Sequence, residues 1–135
     1  VTLAEYQKRV GNGVLRVDEI GDYKKYTFIA PTHTISECYE IVFAESDRLE
    51  ISEGKSLILE GHFNILVTTL NFKRITNFGT FTTRSESKID FGTIHTDVNA
   101  DTAAQGIYNK PTGTINIYFW SVNMYYIWQR IIRIF

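Results

Sequence analysis

The chain alternates apolar and polar residues in short runs, and turn-forming residues separate one run from the next. The clearest case is Phe63, Ile65 and Val67 within the run His62–Leu70. Alternation with a period of two puts every second side chain on the same face of an extended strand. About nine to eleven such strands, at intervals of roughly 8–12 residues, predict an all-β fold. We therefore expect an antiparallel β-sandwich or jelly roll.

A hairpin and a series of shorter runs define the expected strands. Gly21-Asp22 separates Gly13–Ile20 from Tyr23–Ala30 and has the form of a type II′ turn. Pro31 ends this pairing, so Thr32-His33-Thr34 is predicted to be a polar loop. The later strands are expected at Cys38–Ala44, Leu49–Ile51, Ser56–Leu59, His62–Leu70, Ile75–Thr83, Lys88–Thr96 and Thr114–Trp120, with Ala103–Tyr108 as strand or coil.

The composition agrees with a strand-rich domain. Among 135 residues there are 17 Ile, 15 Thr, 8 Tyr and 9 Phe, all residue types that favour strands. A chain of this length buries enough surface to fold without a disulfide, and its single cysteine cannot form one internally. The net charge of −1 argues against a general nucleic-acid binder. The most apolar stretch, Ile115–Phe135, is interrupted by Asn116, Arg130 and other polar residues, so we expect no membrane span.

The first residues predict a short helix. Thr2 and Glu5 have the spacing of a capping box, and Gly11 is placed to end the helix. Leu3, Tyr6 and Val10 fall on one stripe, which must pack against the domain because two turns are not stable alone. We therefore divide the chain into a helix or linker at residues 1–12 and a single all-β domain at 13–135. Because the chain starts without an initiator methionine, we expect a processed protein or a segment of a longer one.

A weak internal repeat leaves a second architecture open. Gly-Thr followed by an apolar residue occurs at Gly79, Gly92 and Gly113, with spacings of 13 and 21 residues. Glycine after a turn and threonine in a strand explain this pattern in ordinary hairpins. Gly54 and Gly61, which punctuate short apolar runs, are more typical of stacked rungs. The alternative fold is therefore a β-solenoid or an intertwined trimeric β-structure.

One part of the chain resembles a known class of proteins. The run Cys38–Phe43 followed by Leu49–Gly61, and more loosely the whole of residues 38–83, resembles the strand-turn-strand segments of bacteriophage and viral tail-fibre, spike and baseplate proteins. The resemblance implies short strands punctuated by glycine, trimers, and β-rich heads that bind host receptors. It implies no individual binding residue.

The aromatic residues near the C-terminal end are the candidate ligand site. Exposed Trp and Tyr rings stack on sugars and anchor protein interfaces, although a core position is the plainer interpretation. The candidate ligand-binding residues are Trp120, Tyr125, Tyr126, Trp128 and Tyr108. The surrounding segment 123–135 reads as a strand from its isoleucines, or as an amphipathic helix from Met124, Ile127 and Ile131.

No catalytic or cofactor motif stands out. Asp97, Asn99 and Asp101 alternate like the first ligands of a calcium loop, but Thr102 and Tyr108 stand where an EF-hand requires glycine and glutamate. We therefore expect no metal site, with these three residues as the weak candidate. The lone Cys38 and the histidines lack zinc-ligand spacing. We expect no cofactor.

The function favoured by these observations is non-catalytic binding. We expect an oligomeric β-domain of a viral or phage appendage, on the virion or extracellular surface, that binds a host-cell receptor or a glycan. The alternatives are a purely structural virion or fibre subunit and a small hydrolase. The first 60 residues carry seven basic and eleven acidic residues and the rest carry seven and four, which suits docking between subunits. A homotrimer is the expected oligomer, with no nucleic acid as partner.

Overall fold

A computed structural model describes residues 1–44, 46–64, 74–84, 87–90, 93–95, 106–117, 122–123, 126–127 and 132–134. It contains one helix and sixteen short strands within those residues. They are α1 (Leu3–Val10), β1 (Leu15–Ile20), β2 (Tyr23–Phe28), β3 (Thr32–Ile35), β4 (Glu40–Val42), β5 (Asp47–Ile51), β6 (Ser56–Leu59), β7 (His62–Asn64), β8 (Arg74–Asn77), β9 (Thr80–Thr83), β10 (Lys88–Asp90), β11 (Thr93–His95), β12 (Gly106–Asn109), β13 (Thr114–Ile117), β14 (Val122–Asn123), β15 (Tyr126–Ile127) and β16 (Ile132–Ile134).

The strands form three sheets, and the chain visits them in turn. The sheets have the orders β1-β2-β5-β8-β12-β11-β15, β16-β13-β9-β6-β3 and β14-β10-β7-β4. Each consecutive trio β2-β3-β4, β5-β6-β7 and β8-β9-β10 therefore places one strand in each sheet. A fourth trio, β12-β13-β14, does the same, whereas β11 lies beyond β12 in the seven-stranded sheet. The chain thus winds in coils that stack on one another.

The coils stack in parallel register, so equivalent side chains form columns through the interior. Tyr26 pairs with Leu49, Leu49 with Ile75, and Ile75 with Ile107, and all four are buried. These partners lie 23, 26 and 32 residues apart in sequence, so successive coils differ in length. Buried side chains that stack between strands about 4.8 Å apart exclude water continuously along the coil axis. The columns therefore supply the hydrophobic core.

The structure confirms a mostly β chain with one short N-terminal helix. It does not show a sandwich or a jelly roll, and the expectation of mainly antiparallel pairing is wrong. Among the described strands, twelve of the thirteen pairings are parallel, and only β1 with β2 is antiparallel. Alternation of apolar and polar residues is common to both kinds of sheet, so the pattern alone could not separate them.

Two predicted N-terminal elements are confirmed. Thr2 and Glu5 form the capping box, each side chain bonded to the backbone nitrogen of the other, and Gly11 ends α1 with a φ of 84°. The hairpin pairs Ile20 with Tyr23 across Gly21-Asp22, and the φ of 56° at Gly21 fits the predicted turn. A positive φ suits glycine because it has no Cβ to clash with the backbone.

Several predicted boundaries require correction. Thr32–Ile35 is strand β3 rather than a loop, because its neighbour β6 satisfies its backbone groups. The single strand expected at Ile75–Thr83 is two strands, β8 and β9, separated by a corner at Phe78-Gly79. The C-terminal segment holds strands β15 and β16, which favours the strand interpretation over the helix; residues 124–125, 128–131 and 135 lie outside the described residues.

Candidate functional site

Over β3, β6, β9 and β13, the five-stranded sheet carries no charged residue at its outward positions, and the neighbouring β16 places Arg133 in register with Asn116. The outward side chains of those four strands form two columns, which we call the hydroxyl face. The first column is Thr32, Ser56, Thr80 and Thr114, and the second is Thr34, Ile58, Thr82 and Asn116. Thr32 and Thr34 are exposed, and the other six side chains are partly exposed.

Strand geometry fixes the spacing of this array. Neighbours within a column lie about 4.8 Å apart, and the two columns lie about 6.6 Å apart because they are separated by two residues. Threonine is β-branched and has few side-chain rotamers, so its hydroxyl and methyl groups are held with little entropy left to lose. The Asn116 Nδ2 donates to the Thr82 Oγ1 at 3.3 Å, which joins adjacent coils across the face. The result is a two-dimensional set of six hydroxyl groups and one amide, interrupted in the second column by Ile58.

The interior holds this array in place from below. His33, Leu57, Phe81 and Ile115 lie between the two columns and point into the core, where the last three are fully buried. Alternation along each strand then directs the flanking residues outward. The strands in this sheet are therefore placed by their buried residues, and the hydroxyl face follows from them.

An asparagine pair fixes the corner that leads into this sheet. Asn77 and Asn109 occupy equivalent positions in adjacent coils, and both are buried. The Asn77 amide accepts from the Gly79 nitrogen at 3.2 Å and donates to the Thr114 carbonyl oxygen at 3.1 Å. Asn109 donates to the Gly113 carbonyl oxygen at 3.0 Å. These bonds set the start of β9 and β13, and hence the positions of Thr80 and Thr114.

The outer surface of the seven-stranded sheet has a different chemistry. Lys25, Arg48 and Arg74 occupy one column on it. The Arg48 guanidinium lies 3.8 Å from the centre of the Tyr23 ring, and that of Arg74 lies 4.8 Å from the centre of the Tyr108 ring. Both are cation–π distances. Arg74 is 7% exposed, so this column is partly covered rather than open.

The four-stranded sheet and the N-terminal end offer charged surfaces. On the first, the His62 Nδ1 lies 3.8 Å from the Glu40 Oε1. At the second, a groove of about 340 Å³ separates α1 from the hairpin of β1 and β2. The groove is lined by Lys8, Glu19, Lys24 and the exposed Val17, so it lacks the apolar lining typical of ligand pockets. The eight positions of the hydroxyl face, in contrast, carry no charged residue, and Arg133 of β16 pairs with Asn116 at its edge.

The structure describes the aromatic candidates to different extents. Tyr108 is 1% exposed and lies beneath Arg74, so its ring is covered in this structure. The Tyr126 backbone belongs to β15, but its side chain lies outside the described set, as do Trp120, Tyr125 and Trp128 altogether. The roles of these four residues stay predictions.

The weak calcium candidate, Asp97, Asn99 and Asp101, also lies outside the described residues. Within the described ranges, no group of three or more His, Cys, Asp or Glu side chains is arranged to hold a metal ion. No helix in the part of the chain that the structure describes is long and apolar enough to cross a membrane.

Sequence reasoning missed the hydroxyl face. Its signal is present in Thr32-His33-Thr34, Thr80-Phe81-Thr82 and Thr114-Ile115-Asn116, where two polar residues flank an inward one. Two of these segments follow a Gly-Thr repeat, and the structure places Thr80 and Thr114 in register. The segments look unrelated until the sheet register is known.

Comparisons with protein-family models, curated proteins and solved structures find no match for this chain.

Proposed function

We propose that this chain is a capped β-solenoid that acts as a non-catalytic binding module, with the hydroxyl face as its contact surface for an uncharged cell-surface glycan. The observation that carries the proposal is the in-register pairing of Thr80 with Ser56 and Thr114 and of Thr82 with Asn116. A glycan chain repeats along its length, and an array that repeats along the coil axis offers it the same contacts several times over.

The chemistry of the face supports a neutral ligand. Sugar hydroxyls both donate and accept hydrogen bonds, as do threonine and serine hydroxyls. The eight outward positions include no Lys, Arg, Asp or Glu, which suits a neutral ligand. Arg133 of β16, in register with Asn116, is the basic residue next to them in the sheet. Each hydroxyl contact is weak because it replaces one to water, so useful affinity requires several at once.

We further propose that the module is part of a trimeric viral or phage appendage exposed on the virion or extracellular surface. The resemblance of residues 38–83 to fibre, spike and baseplate segments supports this origin. The columns Tyr26-Leu49-Ile75-Ile107 and Ile41-Phe63 support a rod-like role, because stacked coils extend in one direction. Light scattering at micromolar protein should give three times the chain mass; a monomer would exclude the trimer.

Glycan binding is tested with two variants of equal charge. The wild-type protein and the Thr82→Lys variant are applied to an array of neutral and acidic glycans. We expect the wild type to bind a neutral glycan and Thr82→Lys to lose at least about tenfold in affinity, because a long cation replaces a central contact. The control Val42→Lys adds the same charge on the four-stranded sheet, where Val42 is 41% exposed, and should bind as the wild type does.

Two results would overturn the glycan proposal. One is a wild type that binds nothing on the array, and the other is equal binding by wild type and Thr82→Lys. Circular dichroism of each variant separates lost binding from lost folding. A trimer without any glycan binding would favour the second candidate, a purely structural subunit. The apolar columns alone are enough to support that role.

A further inference from the structure

The N-terminal segment, residues 1–12, covers the end of the first coil, and we call it the N-terminal cap. Leu3 and Tyr6 of α1 are buried against the coil. Thr2 forms a parallel bridge with Val42, and the Val42 nitrogen donates to the Val1 carbonyl oxygen at 2.8 Å. The cap therefore occupies the outer edge of β4, which would otherwise present unpaired backbone groups.

One histidine holds the cap to the coil. His33 belongs to β3 and heads the inward column that continues with Leu57 and Phe81. Its Nε2 lies 2.7 Å from the Tyr6 hydroxyl, a hydrogen bond between the coil and α1. Its ring stacks on Phe28 with centroids 5.3 Å apart and meets the Tyr6 ring edge-on at 6.0 Å. An ionisable side chain thus fills a site that is otherwise aromatic and aliphatic.

The groups around this site do not stabilise a charged imidazole. The His33 ring contacts Tyr6 of α1 and the uncharged Phe28 of β2. Tyr39 packs edge-on against Tyr6 at 5.0 Å, with the Arg9 guanidinium 5.7 Å from the Tyr39 ring centre. The Tyr39 and Cys38 side chains also act on Tyr6 electrostatically. None of these groups is a carboxylate, and the one permanent charge among them is positive.

Burial shifts the proton equilibria in the directions that this setting requires. Loss of water around His33 lowers its pKa below the ordinary value of 6.5. Burial first, and then the neighbouring Tyr39 and Cys38, raise the pKa of Tyr6 to about 12, so its hydroxyl stays protonated at any physiological pH. His33 is therefore the group in this contact that gains a proton on mild acidification.

We propose that His33 is an acid-sensitive latch: when it is protonated, the N-terminal cap detaches from the first coil and uncovers the edge of β4. The attached state favours the neutral ring, whereas the released ring is charged below about pH 6.5. Attachment is therefore at full strength above that pH and weakens as the pH falls towards the lower pKa of the buried ring. An uncovered strand edge is competent to pair with a strand of another chain.

Hydrogen exchange on the full chain tests the latch. Exchange is followed from about pH 7.5 to about pH 5 and corrected for the intrinsic pH dependence of amides. Protection of the Tyr6 and Gly11 amides, which bond to Thr2 and Gln7, should fall by up to about tenfold per pH unit below pH 6.5, as release coupled to one proton requires. Protection in β5 and β6 should stay constant.

Two variants isolate the histidine. His33→Gln keeps a polar side chain that cannot gain a proton, so the pH dependence of cap protection should disappear. His62→Gln removes a histidine from the outer surface of the four-stranded sheet, and it should leave that dependence intact. Constant cap protection in the wild type, or an unchanged pH dependence in His33→Gln, would overturn the proposal.

A measurement on the wild type keeps the test independent of whether His33→Gln folds. The three imidazoles are titrated by nuclear magnetic resonance, with His62→Gln and His95→Gln used to assign the signals. The latch requires the pKa of His33 to lie below 6.5. A His33 pKa at or above 6.5 would show that attachment does not oppose protonation, and the proposal would fail.

Discussion

The side-chain amide of Asn77 donates a hydrogen bond of 2.9 Å to the side-chain carbonyl of Asn109 in the next coil. Both residues are buried at the corner that leads into the five-stranded sheet. The equivalent position in the preceding coil is Ile51, so the column changes from apolar to amide at this point. Buried amides are tolerated here because their partners are supplied by the turn and by each other.

Asn77→Ala is therefore expected to destabilise the chain by about 3 kcal/mol, because it removes the interior partners of the Gly79 nitrogen and of the Asn109 side-chain carbonyl oxygen. The free energy of unfolding is measured with a chemical denaturant. Thr76→Ala is the matched control on the adjacent, partly exposed position, and it should cost less than about 0.5 kcal/mol. Equal losses in the two variants would contradict the role of the amide pair.

Gly79→Ala should destabilise by about 3 kcal/mol or by more. A Cβ on Gly79 would collide with the backbone carbonyl oxygens of Lys55 and Ser52, which cannot move without shifting the coil below. Gly13→Ala is the control, since a Cβ there meets nothing and its φ is not positive. That variant should be neutral or more stable by up to about 1 kcal/mol. Thermal unfolding of the pair decides whether close stacking of coils requires glycine at this corner.

Phe63→Ala should cost about 3–5 kcal/mol. The Phe63 ring lies between those of Phe43 and Phe81, with centroid distances of 5.5 and 6.2 Å, so its removal opens a cavity between coils. Denaturant unfolding measures the loss, and the outward Val42→Ala of the same sheet is the comparison, with an expected cost below about 0.5 kcal/mol. A loss in Phe63→Ala close to that of Val42→Ala would mean that the coils do not share one core.

Stability should decline in alkaline solution. Burial raises the pKa of Tyr26 from 10.0 to about 12, with smaller contributions from Asp47 and Glu19. The folded state therefore holds this proton more tightly than the unfolded state. Its contribution is complete below pH 10, and it is lost as the pH rises through about 12. The free energy of unfolding is measured across that range for the wild type and for Tyr26→Phe, whose decline should be shallower; identical slopes would contradict the assignment.

The local elements of the fold follow from the sequence, and the long-range ones do not. The capping box at Thr2 and the turn at Gly21 depend on a few adjacent residues, so both are predictable. The pairing of Leu49 with Ile75 depends on residues 26 positions apart. Parallel and antiparallel neighbours impose the same alternation on a short strand, so the wrong sheet type followed from a correct pattern.

The hydroxyl face could not be predicted from the sequence for the same reason. The sequence predicts a loop at Thr32 because Pro31 precedes it and its neighbours are polar, but Thr32 lies in β3 with its polar side chain on the outer surface. The sequence predicts Tyr108 as a ligand contact because it is aromatic, whereas the residue is 1% exposed and its ring centre lies 4.8 Å from the Arg74 guanidinium of the adjacent coil. In both cases the deciding neighbour comes from another coil, which the linear sequence does not identify.

The antiparallel strand β1 makes one end of the coil stack different from the other. Every other described strand of the seven-stranded sheet pairs in parallel, but β1 runs backwards along the outer edge of β2. A second copy that stacked its coils on this end would meet β1, a strand of opposite polarity. The hydrogen-bond spacing of an antiparallel pair does not continue that of the parallel coils. Growth into a filament by simple coil stacking is therefore stopped at this end, and the two ends of the coil stack are not equivalent as points of attachment.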